Sequence, residues 1–391
     1  MIRMQIHRLL VRNFRNYEEQ IIEWHPGLNL ITGLNGQGKS NLIEACCYFS
    51  LASSYRDSND TDLIRWGAPF FYLAADITGQ NMFTGEHSSF SMSVGFTREK
   101  RKLWKIEGKP QKKTSQVLGH FQTVIFSPED LSLVKAGPAL RRKFLNRELL
   151  QLDKEFYPVY SGYRQTVEQR NKYLKQSYGN VDLTMIEVWD QQLAEFGARM
   201  IMKRKQLLDE ITPFAIKIHN LLSGGKERLS LVYETPLCLG KEEKEMFWQK
   251  AEEKTGEDQF LFFKERFAFA LEKNRKEDFY KGTTCVGPHR DDISIFVNEM
   301  SARQFASQGQ QRTAALALKL AEIDLFYKKT GSYPVLLLDD VMSELDGYRA
   351  GQLLEWVGAK CQTFITNTEA SFMDKISQNG KIFYIEQGKL K

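Results

Sequence analysis

The stretch NLITGLNGQGKSNLIEA, residues 29–45, decides the fold. An apolar run ends at Thr32, a glycine-rich loop follows, and a helix-like pattern begins after Lys39 and Ser40. The loop, GLNGQGKS over residues 33–40, matches the phosphate-binding pattern G-x-x-x-x-G-K-[ST] at every fixed position. A chance glycine-rich turn is the alternative, but the strand, loop and helix stand in the order that an α/β nucleotide-binding fold requires.

The residues of this loop have distinct expected roles. Glycines let backbone N–H groups turn inward around phosphate oxygens, and the helix that follows adds the favourable dipole of its N-terminus. We expect Lys39 to reach the β- and γ-phosphates of ATP and Ser40 to hold Mg²⁺. The predicted ATP-binding residues are Gly33, Leu34, Asn35, Gly36, Gln37, Gly38, Lys39, Ser40 and Asn41.

A second apolar strand ends in acid near the other end of the chain. The run at residues 335–338 is followed by Asp339 and Asp340. We expect Asp339 to bind Mg²⁺ through its outer shell or directly and Asp340 to polarise the attacking water, with Lys39 and Thr366 as the other catalytic residues. The alternative is a strand that ends in solvated acids. If the two motifs belong together, one nucleotide site is built from both halves of the chain.

A polar turn opens a long predicted helix just before that acidic strand. Ser307, Gln308, Gly309 and Gln310 offer a hydroxyl, amides and a bare backbone at the helix start, which is chemistry suited to a phosphate. Because the loop at residues 33–40 already serves the nucleotide of this chain, the second helix start is predicted to serve the nucleotide of a second subunit. An ordinary polar helix cap is the alternative.

These motifs together resemble those of the ABC-type ATPases. The Ser307 turn resembles their signature motif, and LLLDDVMSELD resembles their second Walker motif followed by a D-loop that includes Ser343 and Asp346. GLNGQGKSN is similar to the first Walker motif of the SMC-like branch. Within that branch the chain resembles the RecF family of bacterial recombination mediators. The supporting segments, which run in order along the chain, are residues 45–68, 127–142, 287–292, 307–312 and 336–346.

The resemblance implies an ABC-type, SMC-like P-loop ATPase head of α/β class, with a helical, short coiled-coil-like second domain. It also implies ATP and Mg²⁺ as ligands, slow ATP hydrolysis that acts as a switch, and an ATP-dependent homodimer in which the Ser307 turn acts in trans. Members of the family bind gapped, single-stranded or junction DNA. They work with RecR and RecO to load RecA in DNA repair, recombination, replication and the SOS response, in the cytoplasm at the nucleoid.

Three positions depart from the ABC pattern. Asp340 stands where these enzymes usually carry Glu, and its shorter side chain suits slow hydrolysis. Where they use a His after the last core strand, this chain offers Thr366, with Thr368 as a second choice, and a hydroxyl can sense the γ-phosphate without acting as an imidazolium. Glu129 stands where a Q-loop glutamine is expected, so the identity of that residue stays open.

The middle of the chain changes character. We predict a first head segment at residues 1–147, a helical domain at 148–280 and a second head segment at 281–391. Apolar residues in the middle segment alternate steps of three and four, the mark of a helical seam, so two helices are predicted to pair antiparallel as a short arm or as a compact subdomain. The seam residues are Tyr160, Tyr163, Val167 and Leu174, interrupted by Arg170, and then Ile186, Trp189, Leu193, Phe196 and Met200.

Positive charge is unevenly spread over the chain. The net charge is +5, yet residues 98–113 alone hold eight Lys or Arg against two Glu. The stretch predicts either a solvated sheet edge, where lysines discourage pairing, or a phosphate-binding surface. The predicted DNA contacts are Arg56, Arg65, Arg101, Lys102, Lys105, Lys112 and Lys113. After the turn at Gly287, Arg290 either contacts nucleotide or DNA or, as we favour, pairs with Asp291 or Asp292, and the roles of His289 and Arg290 stay open.

Composition and the motifs together argue against several other functions. The 391 residues, 42% hydrophobic and 26% charged, contain no uninterrupted apolar run of eighteen, so no membrane span is expected. The five cysteines lack CxxC spacing, which argues against a zinc site. An SMC-like DNA organiser is an alternative, but it needs a longer arm. The ATPase subunit of a transporter is a further alternative, against which the basic stretch and the RecF-like segments argue. A nucleoside kinase is another, but the Ser307 turn has no role in it.

Overall fold

A computed structural model of the chain describes residues 2–80, 85–177, 182–237, 241–344, 347–358, 360–367 and 380–391. The strands are β1 (Gln5–Phe14), β2 (Tyr17–Glu23), β3 (Leu28–Thr32), β4 (Phe70–Gln80), β5 (His87–Thr97), β6 (Lys102–Ile106), β7 (Lys109–Gln111), β8 (Thr123–Phe126), β9 (Leu229–Glu234), β10 (Asp292–Val297), β11 (Met300–Ser301), β12 (Val335–Leu338), β13 (Thr363–Asn367), β14 (Gly380–Glu386) and β15 (Lys389–Leu390). The helices are α1 (Lys39–Leu51), α2 (Pro128–Leu131), α3 (Pro138–Leu152), α4 (Phe156–Gln176), α5 (Leu183–Ser223), α6 (Lys241–Glu252), α7 (Gly256–Lys281), α8 (Ala302–Phe305), α9 (Gln308–Thr330) and α10 (Gly347–Gly358).

A parallel sheet forms the centre of the head. Its strand order is β15-β14-β3-β13-β12-β8, and all neighbours run parallel except β15, which pairs antiparallel with β14. Every residue of β3, β12 and β13 is buried, as expected for parallel strands covered on both faces. The predicted α/β class is confirmed.

An antiparallel sheet covers one face of this centre. Its order is β2-β1-β4-β5-β6-β7. Ile31 and Phe364 of the parallel sheet share a hydrophobic cluster with Leu9 and Phe71 of the antiparallel sheet and with much of α1. The basic stretch ends this sheet as the β6–β7 hairpin, and it buries Trp104 while its lysines face solvent.

The helices build a second hydrophobic cluster on the opposite face, to which Leu30 of β3 contributes. Helix α5, with 41 residues, packs against α4, α7 and α9. Arg170 of α4 pairs with Asp190 of α5 at 3.0 Å. Nearer the start of α4, a Cβ on Gly162 would meet Phe196 of α5, so the two helices run antiparallel.

Four of the predicted seam residues are only half-buried, namely Tyr160 and Val167 of α4 and Trp189 and Phe196 of α5. By contrast, Val159, Thr166 and Arg170 of α4 are buried. Arg170 belongs to the seam because acids from two other helices neutralise it. Its guanidinium pairs with Asp190 of α5 at 3.0 Å and with Asp278 of α7 at 2.7 Å.

The division into residues 1–147, 148–280 and 281–391 stays a prediction. Its first boundary falls inside α3, and β9 pairs with β10 across the second. These strands and β11 form a third, antiparallel sheet. Within the described part of the chain, no helix combines the length and the apolar character needed to cross a bilayer.

Candidate nucleotide site

The parallel sheet brings the two predicted halves of the site together. In the sheet β13 lies between β3, which leads into the glycine-rich loop, and β12, which leads into Asp339 and Asp340. Because these strands are parallel, their carboxyl ends share one edge, which is where ligands bind in open α/β sheets. Thr366 lies on β13 between the loop and the acids.

The backbone of the loop needs glycine at two positions. Gly33 has a φ of +149° and Gly38 a φ of +114°, both unfavourable for residues with a Cβ. A Cβ on Gly33 would lie 2.3 Å from the carbonyl oxygen of Ile385, and one on Gly38 would lie 2.6 Å from the side chain of Asn16. Strand β14 and the turn after β1 therefore close tightly around the loop.

Lys39 and Ser40 stand at the start of α1, and the Lys39 ammonium is directed to the loop. The Lys39 ammonium donates to the carbonyl oxygens of Gly33 at 2.8 Å and Leu34 at 3.1 Å. Burial lowers the pKa of Lys39, and the nearby Asp340 and Asp339 oppose that shift. A buried ammonium held only by carbonyl groups fits the role of a phosphate ligand, because anionic oxygens are stronger acceptors than those carbonyls.

Asp339 is a buried carboxylate surrounded by donors. The Tyr55 hydroxyl donates to its Oδ2 at 2.5 Å, and Nη2 of Arg56 lies 3.3 Å from the same oxygen. The Thr366 hydroxyl lies 3.0 Å from Oδ1. A carboxylate at the end of β12 and the Ser40 hydroxyl at the start of α1 are oxygen ligands of the kind that Mg²⁺ prefers, so the chemistry of these two residues fits the predicted metal site.

Asp340 has a left-handed backbone, with a φ of +53°. Its N–H donates to the Thr366 hydroxyl at 2.8 Å, and that hydroxyl lies 3.3 Å from Asp340 Oδ1. Burial, and then the charge of Asp339, raise the pKa of Asp340. Thr366 therefore fixes both acids, while its role as a γ-phosphate sensor stays a prediction. Thr368 lies outside the described residues.

Arg56, whose contact with DNA stays a prediction, lies at the candidate nucleotide site. Its guanidinium donates to Asn41 at 3.2 Å and to Tyr55 at 3.1 Å, and it lies against Asp339, so it belongs to the nucleotide site. The sequence did not indicate this role, because 283 residues separate Arg56 from Asp339. The only signal was the arginine-bearing segment 45–68 that supported the family resemblance.

Two further contacts of the loop were missed. The Asn16 side chain donates to the carbonyl oxygen of Gln37 at 2.8 Å and accepts from Asn41 at 2.9 Å. From the far end of the chain, the N–H of Gln387 donates to Gln37 Oε1 at 2.6 Å, and that of Gly388 donates to the Gln37 carbonyl at 3.0 Å. Polar residues in ordinary turns carry no distinguishing pattern, so sequence alone does not find them.

The Ser307 turn caps α9 reciprocally. Ser307 Oγ accepts from the N–H of Gln310 at 3.2 Å, and Gln310 Oε1 accepts from the N–H of Ser307 at 2.8 Å. The Gln310 amide also donates to Glu227 at 3.0 Å. Ser307 and Gln308 are exposed, and Gly309 is half-exposed, so this helix start faces solvent. Its action in trans stays a prediction.

Two of the remaining motif residues, Ser343 and Glu129, lie in the described part of the chain. The hydroxyl of Ser343 donates to the carbonyl oxygen of Asp340 at 2.9 Å, whereas Asp346 lies outside the described residues. Glu129 is exposed in α2, which follows β8, the neighbour of β12. Its assignment as the Q-loop residue stays a prediction.

Lys102, another predicted DNA contact that stays a prediction, has an acidic partner within the protein. Its ammonium pairs with Asp60 at 2.7 Å and donates to the carbonyl oxygen of Ala52 at 2.9 Å, so its charge is neutralised within the protein. Arg65 is exposed and lies 3.3 Å from Glu18, itself largely exposed. The other four predicted contacts, all exposed, are Arg101, Lys105, Lys112 and Lys113.

The predicted pairing of Arg290 was wrong. Asp291 pairs with Arg204 at 3.4 Å and Asp292 with Arg141 at 2.6 Å, while Arg290 is exposed. His289 is held between the Tyr163 hydroxyl at 2.7 Å and the carbonyl oxygen of Thr284 at 2.9 Å. Burial lowers the pKa of His289 to about 4, so the ring is neutral at pH 7.

The fold and the arrangement of loop, acids and capped helix define the class: an ABC-type P-loop ATPase head. Residues 5–391 match the family described as "RecF/RecN/SMC N terminal domain". The chain is similar at 17% identity, with a TM-score of 0.54, to an Smc head from Pyrococcus furiosus that carries an extended coiled coil; 99% of this chain and 95% of that one are covered. This likeness concerns the fold alone.

The chain belongs to the RecF family of DNA replication and repair proteins. It is 37% identical to RecF of Staphylococcus carnosus, with 99% of this chain and all of the relative covered. It is 39% identical to RecF of Streptococcus suis, with 99% of each covered. A solved structure of the recombination mediator RecF with ATP, from the RecFOR pathway, is 34% identical, with a TM-score of 0.85 and 100% and 98% covered.

Proposed function

We propose that this protein is an ATP-dependent DNA-binding protein of recombinational repair and replication restart. ATP joins two copies at gapped, single-stranded or junction DNA, and slow hydrolysis to ADP and phosphate releases them. The observation that carries the proposal is that Lys39, Ser40, Asp339 and Asp340 converge at one edge of the parallel sheet, in a chain whose full length matches RecF proteins.

The chemistry proposed for the site follows from its contacts. Lys39 exchanges its two loop carbonyls for phosphate oxygens, while Ser40 and Asp339 would hold Mg²⁺, which neutralises phosphate charge when bound. Asp340 orients the attacking water through a carboxylate that Thr366 holds in place. The Asp in place of Glu supports a switch rather than a motor, since a shorter side chain places the base less closely.

The proposed dimer explains the open start of α9. Ser307 and Gln308 are exposed and Gly309 is half-exposed at this helix start, and a partner's triphosphate would cover them. The proposed assembly includes a RecR-like mediator and RecO, which help load RecA. This part rests on the similarity to a RecF protein described as a recombination mediator of the RecFOR pathway.

Sedimentation of the wild-type protein tests this function. With ATP, Mg²⁺ and gapped DNA, the wild type is expected to sediment as a DNA-bound dimer, and without ATP as a monomer. Lys39→Arg is expected to stay monomeric, because the larger guanidinium does not fit between the Gly33 and Leu34 carbonyls. Asp340→Asn is expected to keep the dimer, because it blocks hydrolysis but not binding.

The DNA arms of this experiment are gapped, duplex and single-stranded oligonucleotides of equal length. Preference for the gapped substrate supports a mediator, and equal affinity for all three supports a general DNA clamp. A wild type that stays monomeric with saturating ATP, Mg²⁺ and DNA would contradict the proposal.

A further inference from the structure

A groove of about 1150 Å³ lies between α3 and α4, away from the residues that hold the nucleotide. Residues 51–54 and Asp57, which follow α1, form its third wall. Thr114, next to the basic stretch 98–113, contributes to its rim. The groove is thus continuous with the positively charged edge of the antiparallel sheet.

Each of the two helices lines the groove with residues from one of its faces. From α3 come Ala139, Arg142, Lys143, Asn146 and Leu150, and from α4 come Tyr157, Tyr160, Arg164, Val167, Asn171 and Lys175. Steps of three and four residues keep each set on a single side of its helix. At 1.5 Å per residue, the α4 face is about 27 Å long.

The lining is strongly basic, with eight Lys or Arg against two acids. Some of these cations are neutralised inside the protein. Lys143 pairs with Asp57 at 2.5 Å, Arg204 lies 3.4 Å from Asp291, and Arg147 lies 3.7 Å from Asp130. Lys102 pairs with Asp60, as described above.

Four cations remain without an acidic partner among the described residues: Arg142, Arg164, Lys172 and Lys175. Arg142 donates only to the backbone oxygen of Asp291, at 2.8 Å. The other three lie on α4 and are exposed. Uncompensated positive charge along a groove wall attracts a polyanion, since neutralised phosphates release counterions.

Aromatic rings stand among these cations. Tyr160 stacks on Phe156 with centroids 5.8 Å apart, and the Arg164 guanidinium lies 5.6 Å from the Tyr160 ring. Tyr157, one turn earlier, is half-buried in the groove wall. Cations that contact a phosphate backbone, alternating with aromatic and guanidinium planes that stack on bases, are the pattern of single-strand binding sites.

We infer that the groove between α3 and α4 binds single-stranded DNA, with phosphates on Arg164, Lys172 and Lys175 and a base on Tyr157. A single strand fits better than a duplex, because the rings are recessed in the walls and only unpaired bases reach them. The length of the α4 face accommodates about four nucleotides, at the lower end of single-strand site sizes. The inference rests on the proposed function only in taking DNA as the polyanion.

Fluorescence anisotropy with labelled dT₁₂, and with a duplex of the same length, tests the assignment. The triple variant Arg164→Ala/Lys172→Ala/Lys175→Ala is expected to bind dT₁₂ at least about tenfold more weakly, with the duplex affinity changed less than about twofold. Each phosphate contact on a single strand contributes roughly 0.7 to the slope of log K against log[salt], so losing three contacts should reduce the magnitude of this slope by about 2.

Tyr157 provides a second, independent variant. Tyr157→Ala is expected to weaken dT₁₂ binding by about tenfold, the range of a lost base stack, and Tyr157→Phe to keep the wild-type affinity because it keeps the ring. Lys250→Ala/Lys254→Ala, which removes two exposed lysines in and just after α6 and outside the groove, is the matched control and should change nothing. Equal thermal unfolding midpoints establish that each variant is folded.

The outcomes separate the groove from the proposed function. If the wild type binds dT₁₂ and the triple variant binds it equally well, the groove assignment is wrong and DNA binding stands. If the triple variant loses duplex and dT₁₂ affinity equally, the groove serves DNA without regard to strandedness and the single-strand assignment is overturned. If the wild type binds neither probe, with or without ATP, both the groove and the proposed function fail.

Discussion

Glu148 of α3 is a carboxyl buried against α9. Its neighbours are Glu322 and Lys319 of α9, with Arg147 and Asp130 beside them. Lys319 pairs with Glu322 at 2.5 Å, which leaves one cation for two acids in the immediate cluster. Burial raises the pKa of Glu148 to about 7, and burial together with the charge of Glu148 raises that of Glu322 well above its usual value.

This cluster predicts a loss of stability as pH rises. In the folded state Glu148 keeps its proton up to about pH 7, whereas unfolded Glu releases it near pH 4.5, so the folded chain binds more protons in that window. The stabilisation is complete below pH 4.5 and is lost by about pH 7, and it amounts to roughly 3 kcal/mol for this shift. Glu148→Gln is expected to remove this share of the pH dependence.

Urea unfolding at pH 5, 6, 7 and 8 measures the effect as the difference between wild type and variant. The free energy of unfolding of Glu148→Gln should increase relative to that of the wild type as pH rises. Glu168→Gln, at an exposed position on α4, is the control and should run parallel to the wild type. If the free energies of unfolding of Glu148→Gln and the wild type depend on pH in the same way, Glu148 does not keep its proton in the folded state up to neutral pH.

At the scale of elements, the segment after α1 joins two sites. Its Tyr55 carbonyl accepts from Lys143 at 2.9 Å and from Arg147 at 2.7 Å, both on α3. The Tyr55 hydroxyl and Arg56 reach the opposite way, to Asp339. A short segment thus lies between the nucleotide site and the wall of the α3–α4 groove.

Substitutions of Arg56 and Arg65 are expected to affect different ligands, ATP in the first case and DNA in the second. Arg56→Ala is expected to weaken Mg²⁺-ATP binding by about tenfold, because the loss of a charge-assisted hydrogen bond leaves Asp339 poorly held. Arg65→Ala, at an exposed position, is expected to leave ATP affinity unchanged and to reduce the salt slope of DNA binding by about 1. Calorimetry with ATP and anisotropy with DNA measure both variants. An Arg56→Ala variant that keeps its ATP affinity and lowers the salt slope of DNA binding would instead support the prediction that Arg56 contacts DNA.

The sequence predicted the elements that carry strong local patterns. The strand before the loop, the helix after it, the acidic strand and the helix capped by Ser307 all form as expected. The α4 seam was predicted only in part, because apolar periodicity treated Arg170 as an interruption although this residue is buried. Burial of Arg170 depends on Asp190 and Asp278, and such pairing between distant residues has no local signal.

At the scale of the whole molecule, the assembly in trans has a direct test. Lys39→Ala removes the phosphate-loop cation, and Gly309→Glu places a negative charge at the α9 start. Gly309 has only Ser307 Oγ near its Cβ position, at 3.9 Å, so the variant should fold. Each variant alone is expected to lack ATPase activity, whereas a mixture should recover part of it.

The recovery arises because one of the two sites in a mixed dimer combines an intact loop from one copy with an intact α9 start from the other. Gly309→Ala mixed with Lys39→Ala serves as the control for the substitution itself. A mixture of Lys39→Ala with Gly309→Glu that stays inactive, while Gly309→Glu alone still binds ATP, contradicts the arrangement in trans.

The overall architecture was only partly predictable. That the loop and the acids form one site followed from the motifs, but the strand β13 between them, the bracing of the loop by Gln387 and the third sheet did not. These features join residues far apart in the chain, and a single sequence holds no pattern that links them.

The strand order of the central sheet also sets the order in which parts of a newly synthesised chain can fold. Strand β3 is made early, yet both of its neighbours, β13 and β14, lie within the last 29 residues of the 391. The antiparallel sheet up to β7 pairs only within itself, so it is free to form while synthesis continues. Until β13 and β14 have been synthesised, both edges of β3 are unpaired. A product truncated before β13 would leave this strand open to pairing with other chains and would lack Thr366, which contacts Asp339 and Asp340.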